Sequence, residues 1–226
     1  MHVPYFQLRM SSSIEGKRSR LVAIDALIQF IECCVHAFLF TRSLYPRPLF
    51  RSHQRLGQSV WMCDLKDVRK YVKEFASSLR TCLLLDRVQS VVVGMKSSSG
   101  SSLEKFIIEL PNDFARSVFY ALPSTASRSD LDIAGLASEV LRDCFTHIER
   151  KLRISPIRDK GDTWELLAIT KRAPEAHQND PVDVPGGFDV VPVEESGGYW
   201  ERTRDPIKSV MIGDGVVVST YLDAAD

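Results

Sequence analysis

The chain has 226 residues, and its 44% hydrophobic side chains are enough to fill the core of one domain, with or without a long appendage. Its 29 lysines and arginines balance its 29 aspartates and glutamates, so we expect no direct sequence-specific binding to nucleic acid, although the balance does not exclude a local basic patch. The five cysteines form no C-x-x-C pair and no regular framework, which is typical of a reduced, intracellular chain.

The first 20 residues are predicted to form a flexible, polar leader. They lack the compact apolar stretch that secretion signals carry. Elsewhere the uninterrupted apolar runs are far shorter than the roughly 20 residues that cross a bilayer. We therefore expect no membrane partner.

A strongly apolar helix is predicted to follow the leader and to end by about Leu44. Its apolar positions recur at helical spacing on more than one face, which is typical of a helix enclosed by the rest of a domain. Tyr45-Pro46 and Pro48 stop the helix, because proline lacks an amide donor and disfavours helical backbone in the residue before it. The apolar positions are Leu27, Ile28, Ile31, Val35, Phe38 and Leu39.

Beyond this helix, strand-like and helical segments alternate. A short strand at residues 59–63 precedes a helix that Asp64 is predicted to cap and that carries an apolar stripe. Two β-branched runs, residues 87–96 and 103–111, are then predicted to form a hairpin across a serine-rich connection.

A third helix is predicted from about Asp132 to Lys151, followed by a strand at residues 163–171. Three helices beside strands that are mostly hairpin partners indicate an α+β domain, with the helices packed on a mainly antiparallel sheet.

The last quarter of the chain has a different composition. Residues 172–187 are polar and rich in proline and aspartate, which is typical of a linker. Strand-like residues follow at 187–195 and 205–223, with Gly213-Asp214-Gly215 as the turn of a closing hairpin. Because an isolated hairpin is marginally stable in water, this pair is expected to dock on an edge of the preceding sheet.

No catalytic or metal-binding constellation is visible in the sequence. The five histidines lack metal-ligand spacing, the glycine pairs near residues 186 and 213 lack the context of a phosphate loop, and no G-x-S-x-G occurs. Cys63, Cys82 and Cys144 are interpreted as packing positions. We therefore expect neither an enzyme nor a bound cofactor or metal.

Several of these segments together resemble the HORMA-domain family, and within it the non-catalytic accessory subunit of DNA polymerase zeta. The resemblance covers roughly residues 22–222 and rests on the apolar helix with its Tyr-Pro stop at residues 30–50, the helical residues 67–75, the hairpin strands and the closing residues 205–223. It implies a HORMA core at 21–171. It also implies that residues 172–226 act as a safety belt, which closes over an extended peptide of a partner protein.

The resemblance also implies particular contact residues. Tyr71, Phe188 and Trp200 are expected at the trapped peptide, with Phe188 favoured over Trp200 as the aromatic clamp. Pro206, Ile207, Ser219 and Tyr221 are expected where a scaffold translesion polymerase docks, with Ser219 in the place of a family glutamine. Arg142 is expected at a HORMA dimer surface. Trp61 and Trp164 are interpreted as packing residues of core strands.

Three functional hypotheses follow. The resemblance favours an accessory subunit that traps a peptide of the polymerase zeta catalytic subunit, in translesion synthesis and DNA repair in the nucleus. A AAA+ remodelling ATPase of the kind that acts on the family would reopen the belt. The second hypothesis is a spindle-checkpoint or meiotic-axis HORMA protein that binds closure motifs. The third, an unrelated enzyme, would need a polar constellation that is not present in the sequence.

Overall fold

The chain begins with a long helix, α1, from Tyr5 to Thr41. The computed structural model describes this helix and, in total, residues 5–110, 130–155, 161–171, 190–192, 204–212 and 216–224. The structure differs here from the predicted leader, because residues 5–20 continue α1. Between Tyr5 and Tyr45 the sequence has no proline and only one glycine, so each added residue extends the helix by one more hydrogen bond. At its other end α1 stops before the Tyr-Pro pair, close to the predicted boundary.

The second half of α1 is apolar enough to merit comparison with a membrane span. Leu21–Thr41 would suffice by length and composition, with a mean hydropathy of 1.8. Counting uninterrupted apolar runs misses this segment, whereas an average over a window tolerates the isolated charges of Asp25 and Glu32. In the fold, 67% of the apolar window is buried by protein, as in the core helix of a soluble protein.

A two-stranded antiparallel hairpin, β1 (Phe50–Arg55) and β2 (Gln58–Cys63), packs beside α1. Leu56 and Gly57 form its turn, and both have positive φ, 49° and 71°, as tight hairpin turns of this kind require. β2 is the predicted strand. β1 was not predicted, because four of its six residues are arginine, histidine or glutamine and give no alternating apolar signal.

The second helix, α2 (Lys66–Leu84), buries the apolar stripe that its sequence predicts. The predicted cap at Asp64 is wrong: Leu65 occupies the N-cap position, and no side chain caps the helix. Asp64 instead accepts a hydrogen bond from the Arg69 guanidinium, 3.1 Å away, so its carboxylate is engaged by a side chain one turn into the helix.

The main sheet has six strands in the order β6-β5-β3-β4-β8-β7. The predicted hairpin of β3 and β4 forms its centre, and β5 pairs antiparallel with the other edge of β3. A third helix, α3, lies between β4 and β5 in the chain. The bounds are β3 Val88–Lys96, β4 Ser102–Glu109, α3 Asp130–Ile154, β5 Thr163–Thr170, β6 Val190–Pro192, β7 Arg204–Ile212 and β8 Val216–Ala224.

The two faces of this sheet belong to different apolar clusters. On the first face, Val91 of β3 and Phe106 of β4 share one large core with residues of all three helices, and Phe106 stacks on Phe38 of α1 with ring centroids 6.2 Å apart. On the second face, four buried side chains form a separate cluster to which no described helix contributes: Val92, Ile107, Leu167 and Ile169. The fold is therefore the predicted α+β arrangement of three helices on a mainly antiparallel sheet.

Candidate functional site

The C-terminal strands lie at opposite edges of the main sheet. β6 pairs in parallel with β5, from Ala168 opposite Val190 to Thr170 opposite Pro192. β8 pairs with β4 at the other end of the sheet, and β7 forms the outermost strand beside it. The connection from β6 to β7 therefore joins one edge of the sheet to the other.

The outer edge of β5 is only partly paired. β6 covers three of its eight residues, and no other strand among the described residues lies beside Thr163–Leu167. An edge strand presents backbone amides and carbonyls that can pair with an additional strand. This five-residue stretch is consequently a place where an extended chain could add to the sheet.

Three aromatic residues meet beside this edge, and we call them the aromatic corner. Trp164, the second residue of β5, donates a hydrogen bond from its indole nitrogen to the Tyr45 hydroxyl at 2.9 Å. Tyr71 of α2 contacts the same indole edge-on, with ring centroids 5.4 Å apart and 71° between the planes. Tyr71 remains 36% exposed, so the corner offers part of an aromatic ring to a neighbouring chain.

A row of register partners crosses the second face. Leu167 lies opposite Val92, Val92 opposite Ile107, Ile107 opposite Tyr221, and Tyr221 opposite Pro206. The Tyr221 side chain is half-buried and packs against the apolar cluster of this face. The row thus links β5, next to the aromatic corner, to the closing hairpin at the far edge.

A buried ion pair ties the end of α1 to the sheet and to α3. The Arg42 side chain is fully buried and donates two hydrogen bonds to the Glu104 carboxylate of β4, at 2.5 and 2.7 Å. Its third donor reaches the carbonyl of Leu152 in α3 at 2.8 Å. Such bidentate pairing compensates the cost of burying both charges and fixes the geometry of the three elements.

A buried histidine of α1 lies behind the β1–β2 hairpin. The Nδ1 atom of His36 accepts a hydrogen bond from the Cys63 amide at 3.2 Å, so in the neutral ring the proton is on Nε2. Burial first, and then the nearby charges of Arg69, His53 and Arg55, together lower the pKa of His36 to about 4. His36 is therefore neutral at physiological pH.

All five cysteines are free and buried. Burial raises the pKa of the Cys33 thiol to about 12 and that of Cys34 well above its ordinary value, and it also raises the pKa of Cys63 and Cys82. Raised pKa values keep thiols protonated and poor as nucleophiles. Within the described residues, no group of three or more histidine, cysteine or acidic side chains could hold a metal ion.

The structure brings together some of the predicted contact residues. Tyr71 lies at the aromatic corner, and Pro206 and Tyr221 are direct partners at the far edge of the sheet. Ser219 pairs with Glu109 on one side and with Ser209 on the other, while Ile207 falls at a register shift between Pro206 and Lys208. The predicted clamp residues Phe188 and Trp200 lie outside the described residues, as does the turn at 213–215.

Arg142 of α3 faces the turn of the β1–β2 hairpin. Its backbone carbonyl accepts a hydrogen bond from the side-chain Nε2 of Gln58 at 3.3 Å. Its guanidinium lies 3.7 Å from carboxylate oxygens of both Glu139 and Asp143. The side chain is partly exposed, and the hydrogen bond ties α3 to the hairpin.

The environments of Trp61 and Trp164 differ from the interpretation of both residues as packing residues of core strands. Trp61 is 41% exposed on β2 and stacks on Phe40, 5.7 Å away and only 6° from parallel. Trp164 is half-buried and bonded to Tyr45, a residue that the sequence marked only as part of a helix stop. The alternation of β2 could have signalled the exposure of Trp61, since Val60 and Met62 on either side of it are buried.

Comparison with solved structures identifies the fold of the chain. No protein-family model matches the chain. A chain in the crystal structure of a mitotic checkpoint complex matches it with a TM-score of 0.58 at 14% identity, over 90% of this chain and 98% of that one. The C. elegans protein HTP-2 bound to a HIM-3 closure motif matches with a TM-score of 0.55 at 12% identity, over 88% of each. The chain therefore has the HORMA fold.

Sequence comparison narrows the similarity within that class. The Danio rerio protein named mitotic spindle assembly checkpoint protein MAD2B is 24% identical over 214 residues, and its Homo sapiens namesake is 27% identical over 203 residues; each alignment covers 89% of this chain and 90% of the relative. The mitotic spindle checkpoint component mad2 of Schizosaccharomyces pombe is 26% identical over 100 residues, 44% of this chain and 46% of that protein. The chain is thus MAD2B-like over nearly all of its length.

Proposed function

We propose that this chain is a non-catalytic HORMA adaptor that holds an extended peptide of a partner protein along the outer edge of β5. One observation carries the proposal. β6 covers only Ala168–Thr170 of that edge, while the chain beyond β6 continues to the opposite edge of the sheet. A peptide paired with Thr163–Leu167 would lie between the sheet and residues 172–226, which act as the safety belt.

The chemistry of the edge suits an extended peptide. Backbone groups of an added strand satisfy those of the sheet edge and supply affinity, while side-chain pockets supply specificity. The aromatic corner provides such a pocket wall, because Tyr71 and Trp164 offer apolar rings and Tyr45 holds the indole in place through its hydrogen bond. Aromatic residues are enriched at the energetic centres of protein interfaces.

The belt has enough chain to enclose a bound peptide. From β6 to β7 there are five inter-strand spacings of about 4.8 Å, or roughly 24 Å across the sheet. The connection from Pro192 to Arg204 can span roughly 40 Å when extended at about 3.4 Å per residue. The excess allows the connection to pass outside an added strand, so release requires the belt to move and the affinity resides in a slow dissociation rate.

We further infer a specific role for this adaptor. The peptide comes from the catalytic subunit of DNA polymerase zeta, and the chain acts in the nucleus in translesion synthesis and DNA repair. Similarity to MAD2B proteins over about nine tenths of the chain supports this role, as does the resemblance of the individual motifs. In this role Pro206, Ile207, Ser219 and Tyr221 face a scaffold polymerase, Arg142 faces a second HORMA domain, and a AAA+ ATPase reopens the belt.

A second candidate function has its own support. The partial match to the fission yeast mad2 protein, together with the structural match to a closure-motif complex of HTP-2, favours a checkpoint or meiotic-axis adaptor. The two candidates share the binding edge and differ in the peptide that occupies it.

Calorimetric titration with two peptides separates these possibilities. One is a proline-containing peptide of the cognate polymerase zeta catalytic subunit, and the other is a closure motif from a checkpoint partner. We expect the first to bind the full chain tightly and Tyr71→Ala to weaken it by about tenfold or more, because the ring lies beside the edge. Trp61→Ala is the matched control, since it removes an exposed aromatic residue from a different surface.

Each outcome has a distinct meaning. Binding of the checkpoint motif alone would keep the adaptor and replace the pathway. Equal losses in Tyr71→Ala and Trp61→Ala would place the peptide elsewhere, and no binding of either peptide by the full chain would count against the adaptor itself.

A further inference from the structure

A charged groove of about 850 Å³ lies between α2, the β1–β2 hairpin and α1, on a different side of α2 from the aromatic corner. Positions 71 and 73 of a helix are about 200° apart, so Tyr71 and the groove residue Lys73 face different ways. The ionisable side chains lining the groove are Glu32, Arg55, Arg69, Lys70, Lys73 and Glu74. Although the whole chain has no net charge, this surface has an excess of two positive charges.

The groove follows one stripe of α2, and its chemistry changes along the stripe. Arg69, Lys70 and Lys73 line the first part, and the hydroxyls of Ser77 and Thr81 line the last part. From position 69 to position 81 a helix rises about 18 Å, which is the length of about five residues of extended chain. A linear ligand thus fits the groove better than a compact one.

The ion pairs at the cationic end are weak and exchangeable. Arg69 reaches Asp64 at 3.1 Å and Lys70 reaches Glu74 at 3.8 Å, with all four side chains about half exposed or more. Exposed pairs of this kind contribute little to stability, so a competing carboxylate can replace them. Lys73 has no hydrogen-bond or ion-pair partner among the described residues.

Buried histidine side chains lie near the arginines of this end. The fully buried His36 carries its proton on Nε2, and this N–H group finds no acceptor among the described residues; the Nε2 atom of His53 on β1 is buried and unpartnered as well. Arg55 and Arg69, which line the groove, lie close enough to His36 to help lower the pKa of its imidazole. A buried N–H donor without an acceptor favours nearby negative charge and disfavours further positive charge.

We propose that this groove, the α2 groove, binds an extended acidic segment of a partner protein. Carboxylates of the segment pair with Arg55, Arg69 and Lys73, and its backbone runs toward the hydroxyls of Ser77 and Thr81. A nucleic acid fits less well, because no described aromatic side chain lines the groove for base stacking. The α2 groove is independent of the peptide edge at β5, so both sites can be filled at once.

Fluorescence anisotropy with a fluorescein-labelled hexaglutamate peptide tests the proposal on the full chain, with labelled hexaglutamine as the neutral probe. We expect saturable binding of hexaglutamate and none of hexaglutamine. The affinity for hexaglutamate should fall about tenfold in the double variant Arg69→Gln/Lys73→Gln. The matched control is Arg47→Gln/Arg150→Gln, which removes two exposed cations outside the groove and should change the affinity less than about twofold. Tyr71→Ala should bind the probe like the unmodified chain.

Several results would overturn the proposal. The first is the absence of hexaglutamate binding, and the second is an equal loss in the two double variants, which would indicate non-specific attraction. The third is tighter binding of a labelled 20-nucleotide oligothymidine with the same dependence on Arg69 and Lys73, which would make the groove a nucleic-acid site. Thermal unfolding of both double variants checks that they are folded, which their exposed positions lead us to expect.

Discussion

The two faces of the main sheet are made by the same strands, yet they are buried in different ways. Val91 and Val92 are neighbours on β3, and both are almost completely inaccessible to solvent. Val91 joins the large core formed with three helices, whereas Val92 joins a small cluster whose described members are all strand residues. The first face packs against these helices, which have amphipathic patterns of their own. On the second face, the described residues include no helix that packs on the cluster.

The largest expected effect on stability concerns the buried ion pair of Arg42 and Glu104 on the first face. Arg42→Met leaves the Glu104 carboxylate buried without its partner, and we expect the free energy of unfolding to fall by about 3–5 kcal/mol in urea titrations. Adding Glu104→Leu should restore a large part of the loss, because an apolar pair replaces two buried charges. A double variant no more stable than Arg42→Met would show that the pair is not the source of the effect.

The next largest effect is a dependence of stability on pH that comes from the helix layer. His36 belongs to the helix layer, and the pKa of this buried imidazole is lowered from 6.5 to about 4, so the unfolded chain binds its proton more readily. Stability from this group is complete above the ordinary pKa and is lost as the pH falls toward 4, by about 1.4 kcal/mol per pH unit and on the order of 3 kcal/mol in total. Urea titrations across this pH range should show a shallower dependence for His36→Gln. The exposed His147→Gln is the control, and an unchanged slope in His36→Gln would contradict the prediction.

A smaller and more direct test compares adjacent valines. Val91→Ala and Val92→Ala remove the same two methyl groups from opposite faces. We expect a loss of about 2 kcal/mol at Val91, where rigid helices leave a cavity, and about 1 kcal/mol at Val92, where neighbouring side chains can close in. Equal losses in thermal or urea unfolding would mean that the second face is covered as rigidly as the first.

The smallest effect on stability is expected from an ion pair at the surface. Arg80 of α2 donates two hydrogen bonds to Asp25 of α1, at 2.8 and 2.9 Å, but both side chains are nearly half exposed. Arg80→Gln should cost less than about 1 kcal/mol, because water and salt screen exposed pairs. A loss as large as that of Arg42→Met would show that burial does not control the strength of these ion pairs.

Much of the helix layer and of the sheet centre could be predicted from the sequence. The 3.6-residue periodicity of α1, α2 and α3 and the β-branched runs of β3 and β4 are strong local signals, and the structure confirms them. The polar strand β1 and the helical start of α1 were missed, because each depends on neighbours rather than on its own pattern. Glu104 illustrates the same limit: its burial follows from Arg42, which lies 62 residues earlier in the chain.

The candidate site was only partly accessible to sequence reasoning. Tyr71 was predicted through the family resemblance, while its contact with Trp164 and the hydrogen bond to Tyr45 require the folded arrangement of α2, β5 and the end of α1. Charge composition gave no sign of the α2 groove, because a balance over the whole chain hides a local excess. The continuous apolar runs of β3 and β5 do indicate strands buried on both faces.

The five buried cysteines allow opening of the helix layer to be measured by thiol labelling. Cys33 and Cys34 lie on α1, Cys63 on β2, Cys82 on α2 and Cys144 on α3, so all five lie outside the main sheet, and all are buried. Because alkylating reagents attack thiolates, a buried and protonated thiol reacts only after the structure around it opens. The rate of labelling by iodoacetamide therefore measures how often the helix layer separates from the sheet, and it is insensitive to movements confined to the strands at the sheet edges. Thiol labelling of this chain would therefore time the opening of the helix layer by itself.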